Sequence, residues 1–301
     1  MTTDVTAQPL KGVFWMVTTG LLFVGVLALV KSMGTRIPAA EAAFLRYFLG
    51  LVFLIPMLGP LRAANMDRMS LGLFTARGLV HTFGVVAWFF AMARIPIADV
   101  TAMNYMAPIY VTLGAAVFLG EKLAFRRMAA IGVALIGALI ILRPGFREIG
   151  PGHVAMIFTA ISFGGSYLLA KKLSDRYSAA IVVAMLSIVV TVGLAPLAAM
   201  NWVTPNGTEL LILFGVAALA TGGHYAMTLA FRAAPLAVTQ PVTFLQLVWA
   251  VLMGMIFFDE GIDPYVVFGG LLIVAAISFI SWREMVLKRR AITPDVVATK
   301  V

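Results

Sequence analysis

The sequence contains no cysteine and few charged residues, and both shortages narrow the class of protein. Without a thiol the chain cannot form a disulfide, a thiolate metal site or a cysteine nucleophile. Charged residues make up 12% of the 301 residues, whereas hydrophobic residues make up 62%. A soluble domain has about 25% charged residues, and a soluble chain of this length could not bury so much apolar surface. The composition therefore predicts a membrane protein.

Motifs that carry catalysis or nucleotide binding are also missing. The sequence has no GxxxxGK(S/T) loop, no HExxH motif and no Ser-His-Asp constellation. It has no candidate for a buried carboxylate pair, because Asp99 lies alone at a predicted helix start. We therefore expect no enzyme activity, no catalytic residue, no cofactor and no metal. A channel is disfavoured because no recurring pore-lining or filter motif is evident.

The positive charge lies in short clusters between apolar runs. The formal net charge is +9, and the largest cluster follows the last run at Arg283, Lys288, Arg289 and Arg290. Such clusters are typical of loops that flank membrane helices rather than of a continuous basic face. We therefore expect no nucleic-acid partner.

Ten apolar runs are candidates for transmembrane helices, which need about 20 apolar residues each. The runs cover residues 12–30, 40–59, 71–92, 96–119, 128–142, 153–170, 178–200, 209–230, 235–258 and 264–282. The first run also resembles a signal peptide, but a similar segment recurs inside the chain, so we interpret it as a membrane helix. If the N-terminus is inside, fifteen lysines and arginines lie inside and five lie in outside loops. This bias predicts that both termini are cytoplasmic.

The two halves of the chain repeat one another. A shift of 140 residues places Gly12, Met16, Thr19, Phe23, Gly25, Leu29 and Lys31 on Gly152, Met156, Thr159, Phe163, Gly165, Leu169 and Lys171. A shift of 139 residues places Ala91, Pro96, Ala98, Leu113, Phe118 and Glu121 on Ala230, Pro235, Ala237, Leu252, Phe257 and Glu260. Because each repeat holds an odd number of helices, the second copy must be inverted in the membrane.

The predicted architecture is thus an all-α membrane protein of two inverted five-helix repeats. Its units are a cytoplasmic tail (1–11), the repeats (12–148 and 149–282) and a basic cytoplasmic tail (283–301). Inverted repeats are typical of secondary transporters, whose solute site lies near the bilayer midplane between the halves.

Polar side chains inside the predicted helices are the candidates for that site, because burying them in a bilayer is costly. In the third predicted helix Arg77, His81, Gly84 and Trp88 recur at i, i+4, i+7 and i+11 and share one face. We predict that the solute-binding residues are Trp88, Asn104, Tyr105, Tyr167, His224, Tyr225 and Gln246. For each of them the alternative role is an interhelical hydrogen bond or simple packing.

The remaining charged and titratable positions have simpler interpretations. His81 and His224 titrate near neutral pH and are the candidates for proton coupling. Uncoupled facilitation or exchange is the alternative. Arg46 is interpreted as structural, with a headgroup, a carbonyl or a carboxylate as its partner. The carboxylates of Glu121, Glu260 and Asp263 are interpreted as caps of the helices that follow them.

Several segments resemble the EamA family of the drug/metabolite transporter superfamily. They are Ala93-Arg-Ile-Pro-Ile-Ala-Asp-Val-Thr-Ala, Leu119-Gly-Glu121, Phe44-Leu-Arg46-Tyr-Phe, Ala234-Pro-Leu-Ala-Val and Phe258-Asp-Glu260. Asp259 departs from the glycine that stands in the first copy. The resemblance covers the chain from about Gly12 to Trp282. It implies a multi-pass carrier of a small organic solute in the bacterial cytoplasmic membrane, with the lipid bilayer as its surroundings.

The resemblance leaves the solute open. Similar members include riboflavin importers, S-adenosylmethionine carriers and exporters of amino acids or aromatic metabolites. Aromatic rings beside hydrogen-bonding amides would suit a flat ring with polar edges, so we favour riboflavin uptake by alternating access. The alternative from another class is a membrane subunit or receptor that transports nothing. The sequence sets neither the direction of transport nor the oligomeric state.

Overall fold

The computed structural model describes residues 9–107, 109–110, 125–143, 148–174, 176–233, 242 and 244–292. Within these ranges the chain is helical and has no strand, so the all-α prediction is confirmed there. The helices are α1 (Pro9–Met33), α2 (Ala39–Gly50), α3 (Leu58–Ala63), α4 (Arg68–Met92), α5 (Ile97–Asn104), α6 (Phe125–Leu142), α7 (Pro151–Ser174), α8 (Ala179–Ala199), α9 (Gly207–Ala233), α10 (Phe244–Phe258) and α11 (Pro264–Ile292).

Six apolar stretches of the described chain are long enough to cross a membrane, and three shorter apolar helices accompany them. Described helices lie in each of the ten predicted runs. The fourth and ninth runs lie partly outside the described residues, and Pro108, Glu121 and residues 234–241 lie wholly outside them.

Local chemistry explains where several helices begin, end or change type. A 3-10 segment, Leu51–Met57, continues α2, because Pro56 has no N–H and its ring clashes with the carbonyl four residues earlier. The N-cap residue of α4 is Asp67, which accepts a hydrogen bond from the Ser70 backbone N–H at 2.8 Å. The hydrogen bonds from Ser70 lower the pKa of the Asp67 carboxyl. Gly34 ends α1 with a φ of +70°, in the region that favours glycine.

Five helix connections meet at one end of the bundle. The Lys31 ammonium lies 2.6 Å from Glu260 Oε1 and donates to the Ile95 carbonyl at 2.8 Å, so the ends of α1, α4 and α10 lie together. Ion pairs join Arg143 to Asp263 and Arg36 to Glu209, and His153 Nε2 lies 3.0 Å from Asp99 Oδ2. We call this face, with the α1–α2, α4–α5, α6–α7, α8–α9 and α10–α11 connections, the ion-pair end.

Two carboxylates at the ion-pair end were interpreted from the sequence as caps, and one interpretation was wrong. Asp263 does cap α11, because its Oδ1 accepts from the Tyr265 backbone N–H at 2.9 Å. Glu260 instead accepts from the Ile97 backbone N–H at 3.0 Å and so caps α5. The reason is spatial, since the end of α10 meets the start of α5 and its unpaired N–H groups. Glu121 lies outside the described residues.

The main helix pairs each join a helix of one half of the chain to a helix of the other half. Helix α1 packs on α9 just as α4 packs on α7, and α6 packs on α11. Further contacts join α2 to α8 and α5 to α10. At the α6–α11 crossing, a Cβ added to Gly137 would lie 2.6 Å from the Gly269 carbonyl oxygen, and one added to Gly269 would lie 2.5 Å from the Gly137 oxygen. Each half therefore contributes one glycine to this crossing, and each glycine faces the carbonyl oxygen of the other.

Candidate functional site

His81 lies close to the middle of α4 and links three helices. Its Nε2 lies 3.1 Å from the hydroxyl of Tyr47 on α2, and its Nδ1 lies 3.2 Å from the hydroxyl of Ser166 on α7. The side chain is 7% exposed, and both ring nitrogens have partners, as a buried imidazole requires. The predicted inward face of this helix is therefore occupied by a hydrogen-bonded contact between the halves.

Aromatic rings surround that contact. Phe163 of α7 stacks on the His81 ring, with the centroids 4.7 Å apart and the planes 18° apart. Trp88 meets Phe163 edge to face at 6.1 Å, and Tyr167 lies 6.1 Å from the same ring. We call these four residues, together with Tyr47 and Ser166, the His81 cluster. Gly84 on the same face admits α7, because an added Cβ would lie 2.9 Å from Phe163.

Several buried side-chain polar atoms lie without a hydrogen-bond partner among the described residues, and three of them belong to tryptophan and asparagine side chains. They are the indole nitrogens of Trp88 and Trp249 and the amide oxygen of Asn104. Native proteins rarely leave such atoms unsatisfied, and a ligand or a water molecule is the usual partner. Two of the three were predicted to bind solute, whereas Trp249 was not considered.

The ends of α5 and α10 hold two further predicted residues. Tyr105, which follows α5, lies beside the Leu247 backbone in the first turn of α10. Gln246 is half-buried and packs beside Gly20 of α1. A Cβ added to Gly20 would lie 3.4 Å from the Cβ of Gln246. These residues lie where α1, α5 and α10 meet, so they join the two halves of the chain.

His224 and Tyr225 differ although they are adjacent on α9. His224 meets Phe23 of α1 edge to face at 5.1 Å and interacts electrostatically with Arg46 and Arg77. Its side chain is nevertheless exposed, so it borders accessible space. Tyr225 is 63% exposed and joins none of the ring contacts recorded for the described residues. The structure thus brings His224 toward the His81 cluster and leaves Tyr225 outside it.

The solute-binding residues predicted from the sequence do not include Tyr47, Phe163 or Trp249. Phe163 is one of 21 phenylalanines and Trp249 one of 5 tryptophans, and most such residues in a membrane helix face lipid or pack. Tyr47 becomes notable only through its bond to His81, 34 positions away. The signal that could have found it is a hydroxyl on the same helix as the intramembrane Arg46.

A cavity of about 340 Å³ lies elsewhere, at the ion-pair end. It is lined by charged residues that include Asp99, Arg143, Glu260 and Asp263. None of the predicted solute-binding residues lines it, so it is separate from the His81 cluster. Among the described residues, no group of three or more His, Asp or Glu side chains could hold a metal ion.

Known proteins match the chain over nearly its whole length. The model of the EamA-like transporter family matches twice, at residues 10–143 and 150–282. A riboflavin transporter of Rhizobium johnstonii is 31% identical over 94% of this chain and 95% of its own length. An S-adenosylmethionine uptake transporter of Rickettsia prowazekii is 27% identical, with coverages of 84% and 86%. The pseudopaline exporter CntI of Pseudomonas aeruginosa is 28% identical, with coverages of 88% and 94%.

A solved crystal structure shares the fold. Its TM-score is 0.59 at 18% identity, and the match covers 92% of this chain and 98% of that chain. The double family match agrees with the internal repeat, with the exchange of helix pairs between halves and with the apolar helices. The resemblance seen in the sequence is thereby confirmed, and an enzyme is excluded by family. The chain belongs to the EamA-like transporter family, within the drug/metabolite transporter superfamily.

Proposed function

We propose that the chain is a secondary transporter that moves a small organic metabolite across the bacterial inner membrane by alternating access. The observation that carries the proposal is the His81 cluster. It lies at the contact between the halves and includes the buried Trp88 indole nitrogen, which has no hydrogen-bond partner among the described residues. A structural subunit would have little reason to leave an indole N–H unsatisfied there.

The proposed topology is ten transmembrane helices in two inverted repeats with both termini cytoplasmic. Helix α1 runs toward the ion-pair end, because Lys31 near its last turn lies there, whereas α7 begins there at His153. The first helices of the two repeats therefore run in opposite directions. The excess of lysine and arginine in the opposite loops favours a periplasmic ion-pair end.

Riboflavin uptake is the specific proposal for the solute. It is supported by the name of the Rhizobium johnstonii relative and by the rings of Trp88, Tyr105 and Tyr167. An isoalloxazine could stack on such rings and accept hydrogen bonds from indole N–H groups. The alternatives are export or exchange of amino acids, aromatic metabolites or S-adenosylmethionine, and relatives named for such solutes are also similar.

Uptake into proteoliposomes tests the proposal. Purified protein should take up radiolabelled riboflavin with saturation and should show counterflow, which a channel lacks. Trp88→Ala should lower the uptake strongly, because it removes both a ring and an indole donor from the cluster. Trp282→Ala is the matched control, since Trp282 is 52% exposed in the second half of α11 and should be dispensable.

Two results would contradict the proposal at different levels. Failure of flavin uptake together with uptake of another solute from a panel of S-adenosylmethionine and aromatic amino acids would exclude the flavin and keep the carrier. If the wild-type protein takes up no solute in the panel, the protein is the non-transporting subunit.

A further inference from the structure

Arg46 lies on the face of α2 that points into the bundle. Ala42 and Ala43, three and four residues before it, are 2% and 0% exposed. Gly50, four residues after it, faces α9, since an added Cβ would lie 3.9 Å from the Ala217 Cβ. Residues at these spacings share one side of a helix. The Arg46 side chain therefore leaves the backbone toward the interior and not toward lipid.

The guanidinium group lies beside the His81 cluster. Its central carbon is 3.9 Å from the centroid of the Tyr47 ring, whose hydroxyl bonds to His81. It also interacts electrostatically with both His81 and His224. Arg46 thus connects two predicted site residues that lie on different halves of the chain.

Arg46 has no hydrogen-bonding partner among the described residues, although its side chain is half-buried. Other cations of the bundle are matched: Lys31 by Glu260, Arg36 by Glu209 and Arg77 by the Val182 carbonyl at 2.8 Å. A guanidinium carries five N–H donors. Placed about 10 Å along α2, it is expensive to leave unpaired inside a membrane. The carbonyl or carboxylate considered from the sequence is not found in the described part of the chain.

Inside the predicted membrane helices, beyond their first turns, the charged residues are all basic. All thirteen acidic residues of the sequence lie in loops, in tails or within the first turn of a predicted helix. Arg46 and Arg77 are the only lysines or arginines inside the predicted helices proper. A solute near the His81 cluster therefore meets positive charge without a carboxylate to balance it.

We propose that Arg46 binds the transported solute by donating hydrogen bonds to a carbonyl, carboxylate or phosphate oxygen, and that the carrier thereby rejects cations. The proposal rests on the proposed transport function and narrows its substrate class. Riboflavin and flavin mononucleotide both have such oxygens. Riboflavin is neutral, and flavin mononucleotide is anionic. S-adenosylmethionine carries a net positive charge and is expected to bind poorly, even though some relatives are named for it.

The test compares three variants of the full chain in detergent and in liposomes. Flavin binding is followed by flavin fluorescence, and uptake is followed with labelled riboflavin. Arg46→Gln should raise the Kd and KM for riboflavin roughly tenfold to hundredfold, the loss expected for a charge-assisted hydrogen bond. Arg46→Lys should recover part of the affinity because it keeps a donor and the charge.

Arg94→Gln is the matched control. Its guanidinium lies 3.6 Å from the Phe90 ring centroid, the same arrangement on an exposed segment at the ion-pair end. It should leave Kd and KM unchanged. In wild-type protein, excess flavin mononucleotide should displace riboflavin and excess S-adenosylmethionine should not. If the phosphate is the partner of Arg46, Arg46→Gln should weaken the binding of flavin mononucleotide more than that of riboflavin. If a ring carbonyl is the partner, it should weaken the binding of both equally.

The outcomes separate this proposal from the function on which it rests. Unchanged flavin affinity in Arg46→Gln, or displacement by S-adenosylmethionine as efficient as by flavins, overturns the Arg46 assignment while transport stands. Flavin binding that depends on Arg46, without any uptake, overturns transport and keeps the assignment. A KM that rises with the phosphatidylglycerol content of the vesicles in wild type but not in Arg46→Gln shows a lipid headgroup as the partner, and also overturns it. No binding of any probe overturns both.

Discussion

The three histidines show how surroundings give one residue type different roles. His81 is buried and bonded at both ring nitrogens, and His153 lies 3.0 Å from Asp99 at the ion-pair end. His224 is exposed beside Phe23. Of the two candidates for proton coupling, His224 is therefore the one whose protonation would leave the His81 hydrogen bonds between the halves intact.

Substituting each histidine in turn tests proton coupling. If a histidine couples uptake to protons, His224→Gln should flatten the pH dependence of uptake between about pH 5 and 8, where imidazoles titrate. His81→Gln should chiefly lower the melting temperature, because it disturbs two buried hydrogen bonds worth about 1 kcal/mol each. His153→Gln is the control and should keep the pH profile. A full pH dependence in both the His81 and the His224 variants would exclude coupling through histidine.

At the scale of elements, the α6–α11 crossing sets how closely the halves approach. Gly137 and Gly269 face each other, and each also faces an isoleucine of the partner helix, Ile273 and Ile141. Small residues at such crossings let helix backbones approach in a membrane, where packing replaces the hydrophobic effect. This contact leaves no room for a methyl group on either side.

A methyl group at the crossing should therefore be costly. Gly137→Ala would place its Cβ 2.6 Å from a backbone oxygen, which cannot move aside like a side chain. We expect a loss of about 1–3 kcal/mol, the usual cost of overpacking, seen as a lower melting temperature in detergent. Gly132→Ala on the same helix meets nothing within 4 Å and should be neutral or slightly stabilising. Equal effects of the two substitutions would contradict this account of the crossing.

The limits of the helices could be predicted from the sequence better than the contacts between them. Apolar runs are local and long, so α4 and α9 begin and end within a few residues of the predicted limits. The contact of His81 with Tyr47 and the capping of α5 by Glu260 join residues 34 and 163 positions apart. No local pattern encodes such pairs. For this reason the sequence predicts Trp88 and Asn104 as solute-binding residues. It does not predict Tyr47, and it indicates only a structural role for Arg46.

Across the whole molecule, the two-repeat arrangement uses equivalent helix pairs twice. Several helix pairs across the halves have a counterpart with the halves exchanged, such as α1 with α9 and α4 with α7. A ligand held at the seam would therefore meet related helices from both sides of the membrane. This symmetry is what an alternating-access carrier needs, since two exchanged conformations of similar energy can face opposite sides.

The orientation that underlies this mechanism can be tested directly, because the chain has no cysteine and any introduced thiol is unique. Thr35→Cys and Asn201→Cys place exposed thiols at the ion-pair end, whereas Asn65→Cys and Ser178→Cys place them at the opposite end. In intact spheroplasts a membrane-impermeant maleimide should label the first two, and the last two only after permeabilisation. Thr35 and Ser178 follow the first helix of each repeat, so labelling of both from one side would rule out inversion. Labelling of the opposite pair alone would keep the inverted repeats and place the ion-pair end in the cytoplasm, against the charge bias of the loops.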